Sequence, residues 1–314
     1  MPLSGAQALQ QFSAGFFMVA AYKSGFVGIL GRPNVGKSTL LNTLCGEKLA
    51  IISAKPQTTR NRILGVLHGS GFQVVFLDTP GMHEFGKALN RYMRRVIEGV
   101  VKDVDTVIYM VDATREQGRE DALALDLIPA GTDKPVILVV NKMDQAGERK
   151  TGERVKLLED AYPFSGIFPV SALKGTGVNH LREQIIEDLP EGVPYFPEDM
   201  VTDQPLDFRL AEIIREKLFD LTGQEVPYAT AVVVEELSPR DDGLLEVSGM
   251  IFVERETQKG IIIGKGGRMI KDVGQAARLD MEEWLGRKIY LALRVKVKKR
   301  WTDREGLLRH LGYR

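Results

Sequence analysis

The chain has 314 residues, 44% of them hydrophobic, and its 42 Lys/Arg balance 42 Asp/Glu. That length suits about two domains with ordinary apolar cores, and a formal charge of zero means that bulk electrostatics announce no polyanionic partner. A single cysteine, Cys45, excludes an intrachain disulfide framework, and no run approaches the roughly eighteen apolar residues of a membrane-spanning helix.

Residues 1–23 read as an N-terminal extension. Its apolar stretch Phe16–Ala21 is short and Lys23 is its only basic residue, which fits neither a secretory signal nor an Arg-rich transit peptide, so the cytoplasm is the expected compartment. The apolar run Gly25–Leu30 then leads into Gly31–Thr39, which satisfies G-x-x-x-x-G-K-[ST] and opens the helical pattern Lys37–Leu44. Glycines at 31 and 36 let the backbone N–H groups of the loop, through Asn34, Val35, Gly36 and on to Thr39, close around phosphate oxygens without an intervening Cβ. Lys37 is expected to reach the β- and γ-phosphates, Ser38 to hold Mg2+, and the helix N-terminus to add a favourable dipole.

Strand-like runs follow at 63–67, 73–77, 106–111, 135–140 and 167–170, with helix-length stretches around 86–101, 118–129, 148–160 and 178–188. The alternation predicts a parallel α/β sheet with helices on both faces. Gly69-Ser-Gly71 separates two of the runs by a tight turn, so that pair should be antiparallel, giving a six-stranded mixed sheet with a reversed edge strand. Three strand ends carry polar groups. Asp78-Thr-Pro-Gly81 places a carboxylate where it can reach Mg2+ and a glycine whose N–H can approach a γ-phosphate. Asn141-Lys142-Met-Asp144 offers Asp144 to the N1–H and N2–H2 of guanine, which adenine lacks, with the Lys142 stem over the base. Ser171-Ala172-Leu173 can aim a backbone N–H at the guanine carbonyl.

The boundaries read as a nucleotide domain over 24–190, a linker over 191–205 with prolines at 194, 197 and 205, and a second domain over 206–314. The second domain predicts a helix (about 207–221), two strands (226–236 and 244–254), a glycine-rich break, a long helix (267–285), a strand (288–298) and a short helix (302–310). Ile261–Ile263 is open between strand, from its β-branching, and helix, from its position. Charge is asymmetric: residues 206–254 carry a net −7, residues 255–314 a net +9, so a neutral chain can present a basic face. Gly264-Lys265-Gly266-Gly267 has the G-x-x-G form that clamps a nucleic-acid backbone, with Arg268 and Lys271 continuing from it. Arg294, Lys296, Lys298 and Arg300 share one face of the last strand, as a phosphate contact or as an ordinary solvated face. Trp301 and Tyr313 are further candidates for base stacking, with core packing the alternative for Trp301.

Together, Gly31–Thr39, Gln57-Thr-Thr-Arg60, Asp78–Gly81, Asn141–Asp144 and Ser171–Leu173 resemble a small GTPase domain of the translation-factor class. From about residue 25 to the end the chain resembles the bacterial Era-type GTPases, on Pro56-Gln-Thr-Thr-Arg60, Asp78-Thr-Pro-Gly-Met-His83, Val253-Glu-Arg255 with Gln258-Lys-Gly260, and Val295–Lys298 through Leu311-Gly-Tyr313. The resemblance implies a P-loop GTPase domain followed by an α+β type II KH domain. It implies Mg2+-dependent hydrolysis of GTP to GDP, with Thr59 (or Thr58) as the switch threonine on the metal beside Ser38 and Asp78, and Lys37, Gly81 and Asn34 at the reacting phosphate. Asn34 stands where related GTPases help to bind K+, or else merely shapes the loop. Met82 occupies the place of a water-orienting glutamine, which implies slow intrinsic hydrolysis. The implied role is binding of the small-subunit rRNA 3′ end and small-subunit maturation by a monomer with peripheral inner-membrane association. A membrane-associated regulatory GTPase is the alternative.

Overall fold

The structure, a computed structural model, describes residues 21–53, 55–81, 88–223 and 225–313. Six strands, β1 (Lys23–Gly31), β2 (Ile63–Gly69), β3 (Phe72–Asp78), β4 (Thr106–Asp112), β5 (Val136–Asn141) and β6 (Gly166–Pro169), form one sheet in the order β2-β3-β1-β4-β5-β6. Every neighbouring pair is parallel except β2 and β3. That hairpin turns at Gly71, whose φ of +81° only glycine adopts readily. Strands β4 and β5 are buried along their whole length, as continuous apolar runs should be when helices cover both faces.

Alternation along β1 shows how the layers are built. Val27 and Ile29 pack with Leu40, Leu41 and Leu44 of α1 (Lys37–Cys45) and with Leu181 and Ile185 of α5 (Val178–Asp188). Leu30 points the other way, into a core with Ile97, Val100 and Val101 of α2 (Ala88–Asp103), Ala124 of α3 (Arg119–Leu125) and Leu158 of α4 (Met143–Leu158). The register pairs Ile29 with Asp78, Gly31 with Met110, and Asp112 with Asn141. The C-terminal ends of four parallel strands therefore lie along one edge, where ligands of open α/β sheets bind.

The proline-rich stretch expected as a linker lies strapped across β1, β3 and β2. Gln73, fully buried in β3, donates to Phe196 O (2.8 Å) and accepts from Tyr195 N (2.7 Å) and Phe196 N (3.0 Å). Ser24 Oγ donates to Val193 O at 2.8 Å, and Val66 N to Val201 O at 2.9 Å. Prolines prevent a regular ladder, so a side-chain amide supplies the missing partners.

The second unit runs α6 (Leu206–Leu221), β7 (Ala231–Pro239), β8 (Leu245–Val253), α7 (Glu256–Ile263), α8 (Arg268–Leu285), β9 (Ile289–Val297) and α9 (Glu305–His310). Its sheet order is β7-β8-β9, with β7/β8 antiparallel and β8/β9 parallel across the α7–α8 connection. Ile261–Ile263 are helical. Gln258 Oε1 accepts from the N–H groups of Glu254 and Arg255 (3.0 Å each), closing the helix N-terminus, and Ile262 enters the core while Ile261 is 49% exposed.

A fourth apolar cluster joins the two units: Leu89, Tyr92 and Met93 of α2 pack with Phe252, Trp301, Leu308, Leu311 and Tyr313. Trp301 Nε1 donates to Ala229 O at 2.9 Å, and the Trp301 and Tyr313 rings stack with centroids 5.8 Å apart. Both rings are buried there, which corrects the expectation that Tyr313 offers a face to nucleic-acid bases.

Candidate nucleotide site and backbone-clamp loop

The loop from β1 to α1 is bent by three left-handed or near-left-handed residues, Gly31 (φ 150°), Asn34 (φ 59°) and Gly36 (φ 107°). A Cβ at Gly31 would lie 2.4 Å from Met110 O, and one at Gly36 would lie 2.3 Å from Asn141 Nδ2. Both positions therefore exclude side chains on two grounds, backbone strain and close approach. Val35 is fully buried and anchors the loop in the core. Lys37 folds back so that its ammonium donates to Gly31 O (2.9 Å) and Arg32 O (3.0 Å). Burial pushes the Lys37 ammonium down to about 8, against the opposing pull of Asp78 and Glu120.

Ser38, Thr59 and Asp78 come together from the α1 N-terminus, the 51–60 loop and the end of β3. Ser38 Oγ donates to Asp78 Oδ2 at 2.7 Å, lies 2.8 Å from Thr59 Oγ1, and Thr59 Oγ1 donates to the same Asp78 oxygen at 3.2 Å. The other carboxylate oxygen, Asp78 Oδ1, is buried with no protein hydrogen-bond partner. Burial pushes the Asp78 carboxyl up, against Lys37 and the two hydroxyls. Hard oxygen donors with an unpartnered buried carboxylate oxygen fit a hexacoordinate divalent cation that shares its remaining ligands with phosphate and water. No group of three or more His, Cys, Asp or Glu that could hold a metal occurs among the described residues. Thr58 contributes differently: its carbonyl accepts from Arg215 Nη2.

Gly81 packs its backbone on the loop, since a Cβ there would lie 2.7 Å from Pro33 Cα. Met82, on which the expectation of slow hydrolysis turned, lies outside the described residues, as does His83.

Asn141 ties three loops into one frame. Its Nδ2 donates to Val35 O at 2.8 Å and its Oδ1 accepts from Ala172 N at 2.9 Å, while Thr43 Oγ1 donates to Ala172 O at 2.7 Å. Ser171 is buried beneath, and Leu173 is 67% exposed on the cleft wall. Lys142, with φ 66°, donates to Asn34 O (2.7 Å) and pairs with Asp112 Oδ2 (2.8 Å). Asp144, exposed in the first turn of α4, lines the same cleft. The cleft encloses about 460 Å3 between Lys37, Ser38, Thr39, Thr59, Gly81 and the Asn141–Asp144 loop.

Some residues were missed. Arg115 and Gln145 also line the cleft, and no motif names them. Burial alone would raise the Asp112 carboxyl, but hydrogen bonds from Lys142 and Thr114 hold it below its usual range. An acid closing an apolar strand, the signal that marked Asp78, marks Asp112 as well. Arg60 was noted only as a motif letter. It is 2% exposed, and its guanidinium donates to Thr230 O (2.6 Å), Pro227 O (3.2 Å), Tyr228 O (3.0 Å) and Tyr313 Oη (3.0 Å), all in the second unit.

The glycine-rich loop of the second unit sits between α7 and α8. Gly264, Gly266 and Gly267 have φ of 71°, 63° and 77°, and a Cβ at Gly264 would lie 2.7 Å from Met269 Cβ. Lys265, Arg268 and Lys271 are all exposed beside this loop, as are Arg294 and Lys296 on β9. The backbone is bent to leave room for a close approach, with cations beside it.

Residues 26–142 match the family described as "50S ribosome-binding GTPase", and residues 225–302 match the KH domain. GTPase Era of Geobacter metallireducens is 49% identical over 293 residues, covering 93% of this chain and 98% of that protein. GTPase Era of Caldanaerobacter subterraneus subsp. tengcongensis is 46% identical over 294 residues, with 93% and 98% covered. Two solved structures, an Era variant from Aquifex aeolicus bound to GDP.AlF4- and Era in complex with MgGDPNP and nucleotides 1506–1542 of 16S ribosomal RNA, each align with a TM-score of 0.89 at 43% identity, covering 93% of this chain and 99% of theirs. With a P-loop sheet, a KH unit and relatives matched over nearly their full length, this chain belongs to the Era family of GTPases.

Proposed function

We propose that this chain is a GTP-driven switch that binds the 3′ end of small-subunit rRNA through its KH domain and assists small-subunit maturation. The observation that carries it is the pair of sites on one chain: a guanine-type cleft closed by Asn141 and Asp144, and an exposed G-x-x-G loop flanked by Lys265, Arg268 and Lys271. The family relative solved with a GTP analogue and a 16S rRNA fragment supports the same combination.

Lys37 exchanges its two backbone carbonyls for phosphate oxygens, and the N–H groups of Gly31–Thr39 line the phosphate chain. Asp144 accepts from guanine N1–H and N2–H2, Lys142 covers the base, and the Ser171–Leu173 backbone meets the carbonyl. Ser38, Thr59 and Asp78 would hold Mg2+, which would supply charge neutralisation at the reacting phosphates. Gly81 N–H and Thr59 sense the γ-phosphate, and their release after hydrolysis is the switching event. Lys37, Thr59, Gly81 and Asn34 are the residues assigned to the reacting phosphate.

The finer reading of Asn34 is a K+ site that offsets transition-state charge. What supports it is a left-handed residue on the cleft wall whose carbonyl is held by Lys142 at 2.7 Å. Hydrolysis in K+ should then exceed that in Na+, and Asn34→Ala should erase the difference. An Asn34→Ala rate equal to wild type in both salts would remove the K+ role.

The coupling is tested by comparing RNA affinity in the GTP-analogue and GDP states. No helix among the described residues is long and apolar enough to cross a membrane. The alternative, a membrane-associated regulatory GTPase in which RNA binding is secondary, would use the exposed Arg294 and Lys296. Nucleotide-independent RNA binding together with vesicle binding would favour it.

A further inference from the structure

We propose that Arg60 and Arg215 are positioning residues for GTP hydrolysis: Arg60 by anchoring its own loop in the KH unit, and Arg215 by reaching from that unit to Thr58, fix Thr59 at the metal site, so the KH domain forms part of the GTPase centre. The proposal rests on the reading of Thr59 as the γ-phosphate-sensing ligand.

Thr59 is gripped through both of its neighbours. Before it, the Thr58 carbonyl accepts from Arg215 Nη2, and Arg215 is itself held in place by Glu212, which accepts from its Nε at 2.6 Å and its Nη2 at 2.5 Å. After it, the buried Arg60 guanidinium spreads over three carbonyls of the 227–230 turn and the Tyr313 hydroxyl. Arginine can satisfy several acceptors at fixed angles because its donors form a rigid fork, and lysine cannot. Between these two anchors the Thr59 hydroxyl lies 2.8 Å from Ser38 Oγ and 3.2 Å from Asp78 Oδ2.

The rest of the same loop is pinned to the same helix. Ile52 N donates to Glu216 Oε1 at 3.1 Å, and Lys55 Nζ donates to the carbonyls of Phe219 and Thr222 at the end of α6. These bonds hold the loop but do not flank Thr59. A displacement of about 1 Å at a reacting centre is enough to cost large factors in rate, so the two arginines that flank Thr59 should matter more to hydrolysis than Lys55 does.

If the arginines only glued the domains together, losing any of these bonds would loosen the interface with no preference for one nucleotide. If they position Thr59, the loss should fall on the triphosphate state, the only state with a γ-phosphate to sense. The test measures kcat, KM, and GTP and GDP affinities across a Mg2+ series for wild type and for Arg60→Ala, Arg215→Ala, Tyr313→Phe, Lys55→Ala and Thr59→Ala. Arg60→Ala and Arg215→Ala should each lower kcat about tenfold or more, the size expected for lost charge-assisted hydrogen bonds. Both should shift the GTP:GDP affinity ratio toward GDP, raise the Mg2+ requirement, and leave GDP affinity within about twofold. Tyr313→Phe, which removes one hydroxyl and keeps the packing, should move the same readouts by less, and it answers the question if the arginine variants fail to fold. Lys55→Ala should leave kcat near wild type. If Thr59→Ala lowers kcat while the two arginine variants and Tyr313→Phe do not, the proposal is overturned and the Thr59 assignment stands. Equal losses in Lys55→Ala and Arg60→Ala would reduce the arginines to interface glue, and a silent Thr59→Ala would overturn the proposal together with its premise.

Discussion

Asp144→Asn should cost the protein its preference for guanine, lowering GTP affinity on the order of 10²–10³-fold while leaving the fold intact. In the proposed base site the carboxylate, an acceptor-only group, meets two donors, and hydrogen bonds to a charged group contribute about 1.5–3 kcal/mol each. An amide turns one of those oxygens into a donor that opposes the guanine N2–H2 and suits a base with a carbonyl at C2, so xanthosine triphosphate should gain what GTP loses. Asp144 is exposed at the start of α4, and replacing it leaves the core untouched. Competition binding of GTP, XTP and ATP to the wild type and variant checks this. Unchanged GTP affinity would remove Asp144 from the base site.

The second large effect belongs to Gly36→Ala. One methyl group at this position would sit 2.3 Å from Asn141 Nδ2 on a backbone with φ of 107°. The strain is worth about 1–3 kcal/mol and the disturbed buried amide a similar amount. Because Asn141 also holds Val35 O and Ala172 N, the methyl would push the phosphate loop, the base loop and the 171–173 loop apart together. GTP and GDP affinities should both fall on the order of 10²–10³-fold, with each 1.4 kcal/mol a factor of ten. Gly99→Ala, in α2 where a Cβ meets nothing within 4 Å, is the control and should bind nucleotide like wild type. Calorimetry on both variants checks the pair, and a Gly36→Ala affinity within about threefold of wild type would contradict the frame built around Asn141.

Most of the fold was legible because its signals are local. Period-two and buried runs marked the strands, Gly69–Gly71 marked the one antiparallel hairpin, and each nucleotide motif sits directly after a strand whose end the topology brings to the common edge. In the second unit the long helices and the strands were legible, while the short helix α7 was not, because Ile261–Ile263 stayed open. What could not be read is long-range. Nothing near Arg60 in the chain signals that its partners lie in the 227–230 turn and at Tyr313, some 170 and 250 positions away in sequence. The same holds for Gln73, a polar residue in an apolar strand, whose role appears only when residues 195 and 196 return beside it. Tyr313, a candidate for base stacking, instead closes the interface against Tyr92 and Trp301. Ile261–Ile263 was ambiguous because β-branching and position favoured different elements, and the Gln258 closure of the helix start decided it.

The interface changes what the two sites mean together. On the proposed reading, a loop at the nucleotide cleft that ends in the KH unit couples the two sites, and such coupling is reciprocal. The most direct measurement is the affinity of a single-stranded oligoribonucleotide matching the small-subunit rRNA 3′ end, taken with a non-hydrolysable GTP analogue and with GDP. The account predicts tighter binding in the GTP-analogue state by roughly 5- to 150-fold, the usual span of allosteric coupling. Equal affinities in the two nucleotide states would contradict it.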